Sequence, residues 1–272
     1  MLEGAPTIDR HAAARAVEAN FVETWWVVAS AYGGELHEDA GLRWFSFSGP
    51  NEDPRATSVV RTSLPDDVTD ATLDATIDLL RGRGRPAVWW SSRLSRPADL
   101  GKRLAGRGLE AWPAWPGMAM ELDALPPPPE HDDFGVEVVR SSEGLNELIS
   151  VLDGLGMRGI FTGAFERMAA TGGLGPDQPF EHFIGRTSDG RAAACASLCT
   201  AGDAAGIYAV AVAEDARRRG YGRAVSLAAL QAGADRGHRF GVLQSSQLGF
   251  GVYRGIGLTL VCRLQAHELA AG

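Results

Sequence analysis

The sequence predicts an α/β protein of two tandem domains, each a mixed central sheet flanked by helices, and three observations carry that prediction. Apolar runs of strand length alternate with amphipathic runs of helical length in both halves of the chain. A proline run at residues 125–133, L-P-P-P-P-E-H-D-D, divides the 272 residues nearly in half. It must be extended, because proline locks φ and removes a backbone donor. In the second half an apolar strand runs into an arginine- and glycine-rich loop that opens a helix.

The elements follow in order. Residues 8–31 place apolar side chains at helical spacing and stop at Gly33-Gly34, a first helix. Residues 42–48 alternate and 57–62 are β-branched, which reads as two strands. A charged helix over 65–83 leads to a strand at 87–91. The helix expected over 96–109 has proline at its start and glycine at its end, and a strand at 118–122 reaches the linker. Beyond the linker the pattern predicts a strand at 136–140, helices over 143–155 and 161–170, and strands at 181–187, 191–200 and 206–213. A helix over 220–236, a strand at 239–243, a short helix over 248–255 and a strand at 259–269 complete the chain. The expected domains are 1–124 and 134–272, joined by 125–133.

Composition narrows the function classes. A hydrophobic content of 45% supports a full core, and no apolar run reaches the roughly eighteen residues of a membrane helix. The N-terminus lacks the basic-then-apolar pattern of a leader, so a cytoplasmic protein with no membrane partner is expected. The net charge of −8 argues against non-specific nucleic-acid binding, which phosphate neutralisation drives. Cys195, Cys199 and Cys262 are scattered and odd in number, which predicts buried thiols rather than a disulfide framework or a metal site. All seven tryptophans precede the linker. The pairs Trp25-Trp26 and Trp89-Trp90 are expected in the core or at a domain interface, the alternative being an apolar acceptor pocket.

The loop carries the chemistry. Residues 206–223 read G-I-Y-A-V-A-V-A-E-D-A-R-R-R-G-Y-G-R. A helix start has unpaired N–H groups and a partial positive charge, so glycines there let an anion reach bare amides. Arg217, Arg218, Arg219 and Arg223 add guanidinium forks suited to phosphate. A P-loop is excluded: no G-x-x-x-x-G-K-[ST] occurs, and Lys102, the only lysine, lies elsewhere. A dinucleotide fingerprint is half met by Gly220 and Gly222, but Val225 stands at its third glycine. What remains is R-x-x-G-x-G between a strand and a helix.

That motif resembles the acyl-CoA-binding loop of the GCN5-related N-acetyltransferase family, GNAT. A second segment strengthens the resemblance: residues 248–258, L-G-F-G-V-Y-R-G-I-G-L, are similar to the family's C-terminal Y-x-x-x-G-F, with Tyr253, Gly257 and Leu258 in its places. The resemblance covers about residues 135–269 and implies a tandem GNAT protein whose first half is a degenerate copy without the loop. It implies acetyl-CoA as cosubstrate, with no metal. Val210, Ala211 and Val212 would line the pantetheine arm. Arg217, Arg218, Arg219, Gly220, Tyr221, Gly222 and Arg223 would form the pyrophosphate loop, Tyr221 packing beneath it. Ser246 stands where many members have asparagine, and is the candidate for cofactor amide contacts. Tyr253 would face the sulfur as general acid, or only pack against the cofactor arm. Departures are the missing proline after the 206–213 strand, where Ala213-Glu214 stand, and Ser245-Ser246-Gln247 in place of the asparagine.

The activity so implied is transfer of an acetyl group to a primary amine of a small molecule, by a monomer or homodimer. Two alternatives stay open, a non-catalytic acyl-CoA sensor or scaffold and an enzyme acetylating a protein or peptide amine. For the general base, Glu181, His182, Glu214, Asp215 and water remain open.

Overall fold

The computed structural model describes residues 8–39, 41–50, 53–175 and 177–271. Residues 1–7, part of the segment read for a leader, lie outside the described residues. The first part of the chain contains α1 (Arg10–Ala31), β1 (Glu35–Asp39), β2 (Leu42–Ser46), β3 (Thr57–Thr62), α2 (Thr69–Gly82), β4 (Ala87–Ser91), α3 (Leu100–Ala105), β5 (Glu110–Ala111) and β6 (Trp115–Glu121). After the proline run come β7 (Phe134–Val138), α4 (Ser142–Asp153), α5 (Ile160–Gly172), β8 (Phe180–Thr187), β9 (Ala192–Ala201) and β10 (Ala204–Val212). The order closes with α6 (Tyr221–Asp235), β11 (Phe240–Gln244), α7 (Phe250–Ile256) and β12 (Thr259–Leu269).

The chain forms two compact units, and they differ from a division at residues 125–133. One comprises the described residues up to Phe21, Pro116–Arg158 and Ala169–Val261; the other comprises Val22–Trp115, Gly159–Met168 and the residues from Cys262 onward. The reason is long-range strand pairing. β6 precedes the proline run yet pairs antiparallel with β11, from Gly117↔Gln244 to Glu121↔Phe240. The end of β12 pairs antiparallel with β4, from Gln265↔Ser91 to Leu269↔Ala87.

In the unit built around β4, strands β1, β2 and β3 form an antiparallel meander, and β3 joins β4 in parallel. Helix α2 covers this sheet with Leu73, Ile77 and Leu80, spaced three or four apart and buried with Trp89, Leu100 and Leu104. Trp25, Trp89 and Trp90 are core residues, and Trp25 packs edge-on to Phe161 at 5.3 Å. β1 escaped the sequence reading because E-L-H-E-D is charged and exposed, the composition of a protected edge strand. The helix expected over 96–109 is shorter, Leu100–Ala105. It ends at Gly106, and Gly108 takes φ +86°, a left-handed conformation that stops helix propagation.

The other unit holds the candidate site. Its sheet runs β6-β11-β10-β9-β8-β7, with the start of β12 alongside β6. β10 to β7 are antiparallel neighbours, whereas β10 and β11 are parallel. Helix α6 packs on β8, β9 and β10 through small residues. A Cβ on Gly233 would lie 2.3 Å from the Ala205 Cβ, so only glycine allows this approach. α4 is amphipathic, with Leu145, Leu148, Ile149 and Leu152 buried, and Ser141 caps it by accepting from the Gly144 N–H at 3.1 Å. β7 begins two residues before the expected strand, because the Phe134 ring seals the sheet edge over Gly185.

Two buried polar groups tie this sheet together. Glu181, only 5% exposed, receives Arg140 Nη2 on one carboxylate oxygen at 2.8 Å and Arg236 Nη2 on the other at 2.5 Å. Beside it His182 shares a 2.8 Å hydrogen bond between its Nδ1 and Ser197 Oγ, across the register pair His182↔Ser197. All three cysteines are buried. Among the described residues no group of His, Cys, Asp and Glu could hold a metal ion, and no helix is long and apolar enough to cross a membrane.

Burial pushes the His182 imidazole down from 6.5 to about 4. The unfolded chain therefore binds a proton between these values that the folded protein excludes. The stability contributed is complete above pH 6.5 and is lost as pH falls toward 4, a change of about 3 kcal/mol for a shift of this size. Urea unfolding from pH 7 to pH 4 is expected to show this loss, and His182→Gln to flatten it. An unchanged pH slope in the variant would refute the assignment.

Candidate active site

The site begins where two parallel strands part. β10 pairs with β11 only at Ala204↔Phe240, Ala205↔Gly241 and Gly206↔Val242. Past Gly206 the register ends, while β11 continues beside β6 as far as Gln244↔Gly117. Two features bend β10 away. The α1 side chain Asn20 is fully buried against Gly206, where a Cβ would sit 1.9 Å from its Oδ1. Its amide donates to the carbonyls of Cys199 at 2.9 Å and Ala204 at 3.4 Å, and its Oδ1 accepts from the Tyr208 hydroxyl at 2.7 Å. The register with β9 then slips between Tyr208 and Ala211, a bulge in which Ala209 takes φ +50°. A left-handed alanine costs about 1–2 kcal/mol, so the surrounding contacts hold it there. Beyond the bulge Ala211 is buried, and Val210 and Val212 are half-buried along the opened strand.

The loop follows directly. Ala213 N–H donates to the Ala193 carbonyl at 2.8 Å, a 3-10 turn spans Glu214–Ala216, and buried Ala216 anchors it. Arg218 at φ +64° and Gly220 at φ +88° then turn the chain into α6. As a result, the N–H groups of six successive residues from Arg218 to Arg223 have no protein acceptor among the described residues. Arg218 and Arg219 are exposed and form no ion pair among the described residues. Arg217 is engaged: its Nη1 lies 3.5 Å from Glu214, and its Nε donates to the Val212 carbonyl at 3.4 Å. Arg223 instead donates to the Gly255 carbonyl at 2.6 Å, at the end of α7. Gly222 faces Val212 so closely that a Cβ would sit 3.2 Å from its Cγ2. The Tyr221 side chain is 1% exposed and lies beneath the loop, so what it offers an anion is its backbone N–H.

On the far side of the opening, β11 ends at Gln244 and Ser245 N–H donates to the Pro116 carbonyl at 2.9 Å. The Ser246 hydroxyl accepts from Gly249 N–H at 3.1 Å, which orders the entry to α7. Tyr253 is half-buried against the core, its ring edge over Gly249, where a Cβ would lie 2.8 Å from its Cε2. Burial pushes its phenol up from 10 to about 12. Gly257 at φ +122° ends the helix, and Leu258 is 1% exposed in the core.

Of the carboxylates left open as bases, Glu181 is locked between two guanidiniums. Glu214 and Asp215 are exposed and paired, the latter with Arg191 at 3.0 Å. His182 is held on Ser197 inside the sheet. Asn20, His131, Asp133 and Phe134 contribute to the site's frame without having been singled out. The signal for Asn20 was a polar residue inside the apolar stripe of Val17, Phe21 and Trp25.

A parallel pair opened in this way leaves a cleft with bare amides at its mouth. A model of the acetyltransferase (GNAT) family matches residues 162–249. Among solved structures, the chain is similar to a GCN5-related N-acetyltransferase from Kribbella flavida, with TM-score 0.74, 16% identity and coverage of 94% of this chain and 96% of that one. It is also similar to a tandem GNAT protein from the clavulanic acid biosynthesis pathway, with TM-score 0.65, 14% identity and coverage of 97% and 96%. A glucosamine N-acetyltransferase region of a fungal multi-domain β-N-acetylglucosaminidase matches with TM-score 0.63 and 12% identity, covering 84% of this chain and 31% of that one. No curated protein matches by sequence. Residues 162–249 thus match the GNAT family, and the chain as a whole shares the fold of solved GNAT proteins, a tandem one among them.

Gly220→Ala is expected to lower the unfolding free energy by about 1–2 kcal/mol, since φ +88° is forbidden ground for alanine. Its Cβ would also press on His131 at 3.1 Å. Equal urea midpoints for variant and wild type would mean that the loop does not hold this conformation.

Proposed function

We propose that this chain transfers the acetyl group of acetyl-CoA to a primary amine of a small molecule, in the unit containing β10 and α6. The observation that carries the reading is the sequence of six unpaired amides, Arg218 to Arg223, placed where β10 has left β11. Arg218, Arg219 and Gly220 are exposed, Gly222 and Arg223 half-buried and Tyr221 buried, so a run of N–H groups without protein acceptors lies at the surface, where an anion can reach it. A pyrophosphate fits them, with Arg218 and Arg219 adding charge. The opened edge at Val210, Ala211 and Val212 gives the pantetheine arm a strand to lie beside, in the manner of strand addition. Ser246, already accepting from Gly249, keeps its hydroxyl proton to offer an amide carbonyl of that arm.

In the reaction the amine nitrogen attacks the thioester carbonyl carbon. The C–S bond breaks, and sulfur leaves with its electron pair while the amine loses a proton to water. Positioning along β10 supplies much of the rate, because two reactants become one complex. Tyr253 is the residue this reading assigns to the departing sulfur. With a phenol near 12 against an ordinary thiol near 8.5, complete proton transfer to a formed thiolate is uphill. The reading is therefore of a protonated Tyr253 that donates a hydrogen bond to sulfur as charge develops. Two structural neighbours, a tandem GNAT protein from the clavulanic acid biosynthesis pathway and a glucosamine N-acetyltransferase region, support a small-molecule acceptor.

Isothermal titration with acetyl-CoA, paired with thiol release over a panel of small amines, is the test. Binding with release for some amines is expected, whereas an intact protein that binds no acetyl-CoA would refute the reading. Gly222→Trp is expected to abolish binding by filling the loop. Tyr253→Phe should lower kcat by about 10²-fold with little change in affinity, and the wild type should show no alkaline break from Tyr253 below about pH 10. A break near pH 8–9 that vanishes in Tyr253→Phe would overturn the hydrogen-bond role.

A further inference from the structure

The end of the proline run is not a free spacer. Contacts from residues 131–134 converge on the start of α6. Asp133 Oδ2 accepts the Tyr221 hydroxyl at 2.8 Å. The next residue, Phe134, stacks on the Tyr221 ring at 3.9 Å with an interplanar angle of 5°. His131 meets both rings edge-on, Tyr221 at 5.5 Å and Phe134 at 5.9 Å. The same imidazole backs Gly220, the left-handed residue of the loop, and its Nε2 is buried with no hydrogen-bond partner, so packing alone holds it.

This segment is itself fixed from behind. Ser188 N–H donates to the Asp133 carbonyl at 2.9 Å, and the Phe134 ring covers Gly185, where a Cβ would lie 2.1 Å from its Cζ. The chain of contact thus runs from the β8–β9 turn through residues 131–134 to Tyr221 and Gly220. Tyr221 is buried and cannot touch an anion with its side chain. What its ring and hydroxyl do is set the direction of the backbone on either side of it, in the middle of the six bare amides.

We infer that His131, Asp133 and Phe134 are positioning residues of the cosubstrate site, acting through Tyr221 and Gly220 to hold the amide loop in its pyrophosphate-accepting shape. The inference rests on the reading of that loop as a pyrophosphate site. A loop carrying two left-handed residues, Arg218 and Gly220, is costly to maintain, and pre-organising it before the ligand arrives converts that cost into affinity. The effect is specific to the phosphate-bearing part of the ligand, because the linker touches the loop end of the site and not the β10 edge where pantetheine lies.

The variants Tyr221→Phe and Asp133→Ala test this. The first removes one hydroxyl from a buried ring. The second removes the acceptor from an exposed residue and leaves the ring stack intact, so it keeps the test open if the first folds poorly. In both, the Kd for acetyl-CoA by isothermal titration is expected to rise about three- to ten-fold, the worth of one lost hydrogen bond. The Kd for S-acetylpantetheine, which has no phosphate, should stay unchanged in an NMR titration. In turnover, the KM for acetyl-CoA should rise with kcat unchanged. Unaltered acetyl-CoA affinity in both variants overturns the inference, as does an equal loss for the two ligands, which would mark a general packing role. A wild-type protein that binds no acetyl-CoA would instead refute the functional reading on which this one stands.

Discussion

Everything at the candidate site depends on β10 leaving β11 after three register pairs. A parallel pair normally zips along its whole length, since each residue that leaves the ladder frees backbone groups that must find water or another partner. Here the parting is enforced. Asn20 fills the space over Gly206, the bulge at Tyr208–Ala211 turns the strand, and Ala209 holds a strained conformation. β11 cannot follow, because it is bound to β6 on its other side. The opening is therefore a property of the sheet and does not wait for a ligand to wedge it apart.

The charges around the opening are sorted in a way that follows from the same geometry. A chain with net charge −8 presents a cationic loop because its nearby carboxylates are already occupied. Glu214 lies by Arg217 and Asp215 by Arg191, which leaves Arg218 and Arg219 uncompensated next to the positive end of α6. Inside the sheet the opposite problem is solved by Glu181, whose buried carboxylate would be untenable alone and is held by one guanidinium on each oxygen. Tyr253 lies between these regimes. Its burial disfavours the phenolate and keeps the phenol proton in place.

How much of this could be read in advance varies with the range of the interaction. The loop was legible because its determinants are contiguous: strand, arginines, glycines and helix follow one another within eighteen residues, 206–223. α4 and α6 were legible from apolar spacing, and the Tyr253–Leu258 segment from a short motif. Arg223 was read as a phosphate ligand, yet its guanidinium ends on the Gly255 carbonyl, thirty-two residues away in sequence, a partner no local pattern reveals. Asn20 and the linker residues were missed for the same reason. Each acts across a distance in sequence, Asn20 on Tyr208 and Asp133 on Tyr221.

The sequence by itself determined the α/β class, the tandem plan and the place of the arginine- and glycine-rich loop, since strand and helix periodicity, proline stiffness and glycine freedom are local properties of the chain. Only the tertiary structure decided which strands belong together. β6 and the end of β12 cross the proline run to pair with strands of the other half, and β10 is pried from β11 by a side chain from the first helix. Such choices depend on which distant edges are free to hydrogen-bond and which small residues let a neighbour approach, and these become defined only when the layers meet.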